Sequence, residues 1–160
     1  MRQRLTVTVN GHLHEVVVLP SVTLLQLLRR LGYTDVKNGC EKGDCGACAV
    51  LLDGEAVNSC LVLAWQAEGA NVVTNAGLGD VEHPHTIQEA FADAGAVQCG
   101  YCTPGMIISA KALLDRKPDP NEEEIREAIS GNLCRCTGYA QIIEAVRAAA
   151  GQLRETGGES

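Results

Sequence analysis

Three cysteines lie close together in one glycine-rich stretch, Gly-Cys-Glu-Lys-Gly-Asp-Cys-Gly-Ala-Cys at residues 39–48. Cys40, Cys45 and Cys48 follow the spacing C-x4-C-x2-C, at which thiolates hold a [2Fe–2S] cluster with a fourth cysteine downstream. Cys60 is the next cysteine and the natural fourth ligand. Because glycine lacks a Cβ, we expect the glycines here to adopt positive φ and let the chain curl around the cluster. They are Gly39, Gly43 and Gly46.

A structural zinc site is the alternative for this loop, since C-x2-C pairs also bind zinc. The four-residue interval, the density of glycines and the presence of a second, different cysteine set favour iron–sulfur ligation.

The eight cysteines of the 160-residue chain divide into two sets of four. Disulfides do not persist in a reducing cytosol, so metal binding explains them better. The second set consists of Cys99, Cys102, Cys134 and Cys136. Its C-x2-C and C-x-C pairs suit a [2Fe–2S] cluster, although spacing alone leaves zinc open. Because the sets lie far apart in sequence, we expect two domains with one metal centre each.

The charge and the termini restrict the partners and the compartment. A net charge of −7 argues against nucleic acid or an anionic membrane as partner. The first residues alternate like a strand and lack the apolar core and twin arginines of an export signal, which predicts a cytoplasmic protein. The longest uncharged run, residues 94–110, contains glycines and Pro104, so we interpret it as a buried site and expect no membrane span.

The first half of the chain reads β-β-α-loop-β-β-β, the order of a β-grasp domain. Asn10-Gly11 is a strong hairpin turn signal between alternating strands, and Ser21 or Thr23 can cap the leucine-rich helix that follows. The predicted elements are a hairpin at 3–19, a helix at 24–31, strands at 47–52, 56–60 and 71–74, and a short helical piece at 61–66.

The second half changes to helical periodicity. Thr86-Ile-Gln-Glu89 has the form of a capping box, and Asn121 can cap an acidic helix start. Four helices are predicted, with both cysteine pairs at helix ends. The fold class is therefore α+β, an N-terminal β-grasp ferredoxin-like domain followed by an all-α four-helix domain. The predicted boundaries are 1–76 for the first domain, 77–85 for a linker, 86–154 for the second domain and 155–160 for a disordered tail.

Two long motifs of the second set, residues 98–107 and 131–139, and the first loop resemble the iron–sulfur subunit of the xanthine dehydrogenase family of molybdenum hydroxylases. The motifs occur in the family's order, and the resemblance covers residues 3 to 150.

This resemblance implies an electron-transfer subunit of an oxidoreductase, with two [2Fe–2S] clusters and no catalytic activity of its own. Electrons would pass from molybdopterin on a large subunit to the helical-domain cluster, then to the β-grasp cluster, then to FAD on a medium subunit or another acceptor. It further implies a hetero-oligomer, such as a dimer of heterotrimers. The residues agree with a relay, because we find no obvious nucleophile, His–Asp pair or phosphate loop.

The resemblance also implies that Gln98 hydrogen-bonds the pterin and that Cys136 lies against it. A side-chain amide, which is both donor and acceptor, suits such a heterocycle, whereas a purely structural glutamine would bond a loop carbonyl. The uncharged run 98–108 is expected to pack against the large subunit. Two other functions stay open: a freestanding two-cluster ferredoxin-type carrier and a zinc-bound interaction module.

Overall fold

The structure, a computed structural model, describes residues 2–157. Its strands are β1 Gln3–Val9, β2 His12–Val18, β3 Ala49–Leu52, β4 Glu55–Asn58 and β5 Asn71–Val73. They form one sheet in the order β2-β1-β5-β3-β4. β1 and β5 run parallel, while the other neighbours run antiparallel. This mixed sheet confirms the β-grasp that the order of elements predicts.

The turn between β1 and β2 follows from its two residues. Asn10 and Gly11 have φ angles of 49° and 79°, the left-handed conformation that a two-residue hairpin turn requires. The turn sets a register in which Leu5, Val7 and Val9 are all buried on one face of β1.

Within the first half of the chain, the helix α1 at Leu24–Arg30 packs against this sheet. Thr23 caps it, because its hydroxyl accepts a hydrogen bond from the Gln26 backbone N–H at 3.2 Å. Burial of each of its core leucines stabilises the fold by about 1.5–3 kcal/mol. The buried leucines are Leu24, Leu25, Leu27 and Leu28. The loop that carries the first three cysteines joins α1 to β3.

The second half is helical, as predicted, and forms its own hydrophobic core around Phe91, Met106 and Ile142. Its helices are α2 Thr86–Asp93, α3 Thr103–Arg116, α4 Glu122–Ile129 and α5 Ala140–Glu155. Cys99 and Cys102 immediately precede α3, and Cys134 and Cys136 shortly precede α5. Both cysteine pairs therefore lie at helix starts.

The predicted capping box of α2 is wrong by one residue. His85, not Thr86, is the cap: its Nδ1 accepts from the Ile87 N–H at 3.2 Å, and Gln88, not Glu89, returns a side-chain oxygen to the His85 N–H at 2.9 Å. His85 can serve as the cap because its backbone is still extended, with ψ of 146°, and because an imidazole nitrogen can accept a hydrogen bond as a hydroxyl oxygen does.

The C-terminal helix is longer than predicted, since α5 continues to Glu155. Residues 158–160 of the predicted disordered tail lie outside the described part of the chain.

The segment predicted as a linker is attached at its beginning to the sheet domain. The Ala76 N–H donates to the Asp35 carboxylate at 2.9 Å, and the Gln88 amide of α2 donates to the Asn75 carbonyl at 2.8 Å. The two halves are thereby bonded to each other where they meet in sequence. The numerical domain boundaries stay predictions.

The halves also share an apolar contact. Ile108 and Ala112 of α3 pack against Ala49 and Leu51 of β3. The expectation that the whole uncharged run 98–108 faces another subunit is therefore wrong for residues 106–108, which are buried inside this chain. Among the helices within residues 2–157, none has the length and apolar composition to cross a bilayer.

Candidate metal centres

The first cysteine loop curls through three left-handed residues. Glu41, Gly43 and Gly46 have φ angles of 55°, 82° and 69°. Gly39 differs from the prediction, because it does not need a positive φ. Its missing Cβ instead leaves room for the sulfur of Cys45, which an added Cβ would approach to 2.8 Å. The sequence did not reveal that Glu41 would take the third left-handed position.

This curl brings the sulfurs of the first cysteine set together in pairs. The Cys40 and Cys45 thiols are near enough to affect each other's pKa, as are those of Cys48 and Cys60. The pairs also adjoin, since the Cys45 thiol interacts with Cys48 and the Cys60 thiol with Cys40. Cys48 and Cys60 are buried, whereas Cys40 and Cys45 are partly exposed.

The thiols of this set differ in acidity. Hydrogen bonds from the backbone N–H groups of Lys42 and Cys45 lower the pKa of Cys40 to about 7, whereas burial raises the pKa of Cys60 to about 11. Cys40 can therefore supply a thiolate at neutral pH, whereas the buried Cys60 needs a bound metal ion to lose its proton.

The loops of the second set adopt left-handed turns at Gly100, Gly138 and Tyr139, with φ angles of 79°, 65° and 71°. Tyr139 folds back so that its hydroxyl accepts from the Cys134 N–H at 2.9 Å and donates to the Asn132 carbonyl at 3.1 Å. These bonds fix the short segment that presents Cys134 and Cys136.

The second set is also paired. The thiols of Cys102 and Cys134 affect each other's pKa, as do those of Cys99 and Cys136. Burial raises the pKa of Cys102 to about 12. Burial acts in the same direction on Cys134, but hydrogen bonds from the Thr137 hydroxyl and backbone outweigh it and lower the pKa of Cys134 to about 7.

The arrangement of the sulfurs fits a two-iron cluster. Each set presents two adjoining pairs, and a [2Fe–2S] cluster takes two thiolates on each of its two irons. The residues present therefore fit this group.

The two cysteine loops contact each other directly. The Leu133 N–H donates to the Cys45 carbonyl at 2.9 Å, and the Asn132 amide donates to the Gly46 carbonyl at 3.1 Å. On the other side, the Tyr101 hydroxyl donates to the carbonyl of Asn38 at 2.6 Å. Each bond joins two residues that lie at, or within two positions of, a cysteine of either set. Sequence reasoning missed these contacts, because no local pattern encodes a bond between distant loops.

The outer side of the second set is exposed. Gln98, Cys99 and Cys136 are exposed, and no hydrogen bond within residues 2–157 engages the Gln98 side chain. The alternative of a structural glutamine bonded to a loop carbonyl therefore has no contact to support it. Three apolar side chains lie within three positions of these residues in sequence and are exposed by 43%, 48% and 57%: Val97, Tyr101 and Leu133.

A β-grasp domain and a helical domain, each with paired thiols that suit a [2Fe–2S] cluster, define a two-centre iron–sulfur protein for electron transfer. Comparison with known proteins agrees. Residues 7–76 match the 2Fe-2S iron-sulfur cluster binding domain, and residues 74–147 match the [2Fe-2S] binding domain.

Two relatives illustrate the similarity, which extends over most of the chain. The nicotinate dehydrogenase small FeS subunit of Eubacterium barkeri is 51% identical over 144 residues, which cover 89% of this chain and 92% of that one. The xanthine dehydrogenase iron-sulfur-binding subunit of Escherichia coli O157:H7 is 45% identical over 144 residues, covering 87% of this chain and 89% of the relative.

Solved structures are similar as well. Quinoline 2-oxidoreductase from Pseudomonas putida 86 superposes with a TM-score of 0.91 at 43% identity, covering 96% of this chain and 97% of that one. The aldehyde oxidoreductase from Desulfovibrio desulfuricans gives a TM-score of 0.92 at 44% identity over 96% of this chain, which spans 17% of that longer polypeptide. The protein belongs to the iron–sulfur small subunits of the xanthine dehydrogenase family of molybdenum hydroxylases. It is the electron-transfer component of an oxidoreductase complex.

Proposed function

We propose that this chain carries electrons from molybdopterin on a large partner subunit to FAD on a medium partner subunit, or to another acceptor. The helical-domain cluster receives them first and the β-grasp cluster passes them on. The chain itself carries no catalytic residue in this function. The β-grasp cluster is held by Cys40, Cys45, Cys48 and Cys60, and the helical-domain cluster by Cys99, Cys102, Cys134 and Cys136.

The entry point is the exposed side of the second cysteine set. Cys99 and Cys136 are both exposed, so a cluster bound there would lie at the surface of the isolated chain. Exposed apolar side chains beside such a site mark a protein interface. In this function the large subunit covers that surface, Gln98 donates and accepts hydrogen bonds at the pterin, and Cys136 lies against it.

The direct contact between the cysteine loops is the observation that carries the proposal. A short route of covalent bonds runs from the Cys134 sulfur to the Leu133 N–H, crosses the 2.9 Å hydrogen bond to the Cys45 carbonyl and ends at the Cys45 sulfur. Two one-electron centres joined in this way suit a relay, whereas a diffusing carrier needs only one exposed centre.

The exit point is the exposed side of the first set. Cys40 is partly exposed, and Leu61 and Trp65, which follow Cys60 in sequence, are exposed by 61% and 44%. The FAD-bearing medium subunit docks at this side in the proposed hetero-oligomer, a dimer of heterotrimers. Free thiols throughout residues 2–157 suit assembly in the reducing cytoplasm. The two cluster units are residues 1–76 and 86–154, joined by 77–85.

Two cysteine variants of the complex, co-expressed with its partner subunits, test the order of transfer. Each variant should lose one cluster and about half the iron, since each cluster holds two iron atoms. On rapid mixing with substrate, Cys45→Ser should still show a reduced helical-domain cluster by EPR, but no electrons should reach the acceptor. Cys134→Ser should leave the β-grasp cluster oxidised. A β-grasp cluster that substrate reduces at the wild-type rate in Cys134→Ser would contradict the proposed order.

A further inference from the structure

Asn132 is one of three buried polar or charged residues in the described chain, with Ser59 and Thr74, and it is only 3% exposed. Burying an amide is unfavourable unless its polar atoms are bonded. Both polar atoms of the Asn132 side chain are bonded: Nδ2 donates to the Gly46 carbonyl at 3.1 Å, and Oδ1 accepts from the Ser109 hydroxyl at 2.7 Å. The Asn132 backbone N–H donates to the Ile129 carbonyl at 2.9 Å, and the Asn132 carbonyl accepts from the Tyr139 hydroxyl at 3.1 Å.

These bonds connect three separate segments. Ser109 lies in α3, Gly46 lies between Cys45 and Cys48, and Asn132 itself stands two residues before Cys134. The amide is needed because it donates on one side and accepts on the other. A carboxylate would meet the Gly46 carbonyl without a proton, and a hydrocarbon would leave both partners unbonded.

The backbones come unusually close at this point. An added Cβ on Gly46 would collide with the Gly131 carbonyl oxygen, and one on Gly105 would collide with the Gly46 carbonyl oxygen. Because neither Gly46 nor Gly131 has a side chain to hold the backbones apart, the Asn132 amide and the adjacent Leu133 N–H make a two-point contact with consecutive carbonyls, those of Gly46 and Cys45.

We propose that Asn132 is the positioning residue that sets the separation of the two clusters, and hence the rate of electron transfer between them. This inference rests on the proposed relay. It assigns to one buried side chain the register between the loops on this side of their contact, where the Leu133 N–H makes the neighbouring bond; the Tyr101 hydroxyl bonds Asn38 on the other side.

The experiment uses the co-expressed complex, fully reduced with dithionite, and measures the magnetic splitting between the two paramagnetic clusters by EPR. This splitting falls steeply as the clusters separate. Asn132→Leu and Asn132→Asp should retain full iron and show a smaller splitting. After rapid mixing with substrate, the helical-domain cluster should be reduced at the wild-type rate, and the β-grasp cluster more slowly.

Asn58→Asp is the matched control. The Asn58 amide likewise donates to a glycine carbonyl of the first loop, that of Gly43 at 3.2 Å, but from within the sheet domain. It should leave the splitting unchanged. Wild-type splitting and transfer rate in both Asn132 variants would overturn the proposal, as would an equal loss in Asn58→Asp. If both variants lost iron, Asn132 would be an assembly residue and the proposal would also be wrong. Absence of ordered reduction in the wild-type complex would instead refute the relay itself.

Discussion

The backbone N–H of Leu133 lies 2.9 Å from the carbonyl oxygen of Cys45 and donates a hydrogen bond to it. One partner is a residue of the first cysteine set, and the other immediately precedes Cys134 of the second. The two candidate clusters are thus connected through main-chain atoms, which mutation of side chains cannot remove directly. Side chains can change how closely the loops approach and the environment of the sulfurs.

Gly46 should be sensitive to any side chain. Gly46→Ala places a Cβ at a φ of +69° and against the Gly131 carbonyl. The left-handed conformation costs about 1–2 kcal/mol, and overpacking adds about 1–3 kcal/mol. Gly69→Ala is the control, because Gly69 has a φ of +71° with no atom within 4 Å of the added Cβ. Thermal unfolding of the two variants should show a clearly lower midpoint for Gly46→Ala. Equal midpoints would mean that the loops are not packed as described.

Thr137 should raise the reduction potential of the helical-domain cluster. Its hydroxyl lies 3.2 Å from the Cys134 sulfur, and its oxygen already accepts from the Tyr139 N–H at 3.2 Å. Once Cys134 is a thiolate ligand, only the hydroxyl can donate the proton in this bond. Hydrogen bonds to ligand sulfurs stabilise the more negative, reduced cluster.

Redox titration followed by EPR checks this. Thr137→Val should shift the midpoint of the helical-domain cluster to a more negative value, and Thr137→Ser, which keeps the hydroxyl, should restore it. The β-grasp cluster serves as the internal reference. A midpoint that is the same in the valine and serine variants would refute the role of the hydroxyl.

The iron-free chain should be alkylated unevenly. Because the pKa of Cys40 and of Cys134 is lowered to about 7, about half of each is thiolate at pH 7 and the fraction falls as the pH drops below that value. Burial raises the pKa of Cys60 to about 11 and that of Cys102 to about 12, so both thiols stay protonated in this pH range. Iodoacetamide labelling read by mass spectrometry should therefore modify Cys40 and Cys134 first, with a rate that rises around pH 7. Uniform labelling of all cysteines, as in urea, would contradict the folded thiol environments.

Gln98 should matter for the partner's cofactor and not for the clusters. Gln98→Ala would leave polar pterin atoms unpaired, at a cost of about 1–3 kcal/mol. We expect slower reduction of the helical-domain cluster by substrate, or weaker cofactor retention, with both clusters assembled. The matched control is Gln152→Ala, at an exposed position near the end of α5 and remote in sequence from the cysteines. Rapid-mixing EPR and pterin analysis of the complex measure both effects. Wild-type reduction rates with full pterin content would refute the contact.

Sequence patterns predicted what depends on local chemistry. The C-x4-C-x2-C spacing indicated the first loop, Asn10-Gly11 indicated the hairpin, and the change to helical periodicity after β5 indicated the second domain. Each of these signals depends only on residues that are close together in the sequence. The helix cap at His85 was missed because a histidine ring is an uncommon substitute for a hydroxyl cap.

Contacts between distant segments could not be predicted. No local sequence pattern distinguishes Asn132 or Tyr101. Their hydrogen bonds form only because folding brings Gly46 beside Asn132 and Asn38 beside Tyr101. The burial of Ile108 has the same origin, since an uncharged run gives no indication of which surface covers it, and here β3 does. Long-range geometry thus accounts for most of what the sequence left open.

The exposure of Cys99 and Cys136 has a consequence for biogenesis. Iron bound at these sulfurs would meet oxygen and chelators as soon as it is inserted, whereas Cys48 and Cys60 already lie beneath the protein surface. We therefore expect the cluster of the helical domain to be lost more easily than the β-grasp cluster in a newly made chain. We also expect the large subunit to bind soon after metal insertion, because its binding would cover and protect this cluster.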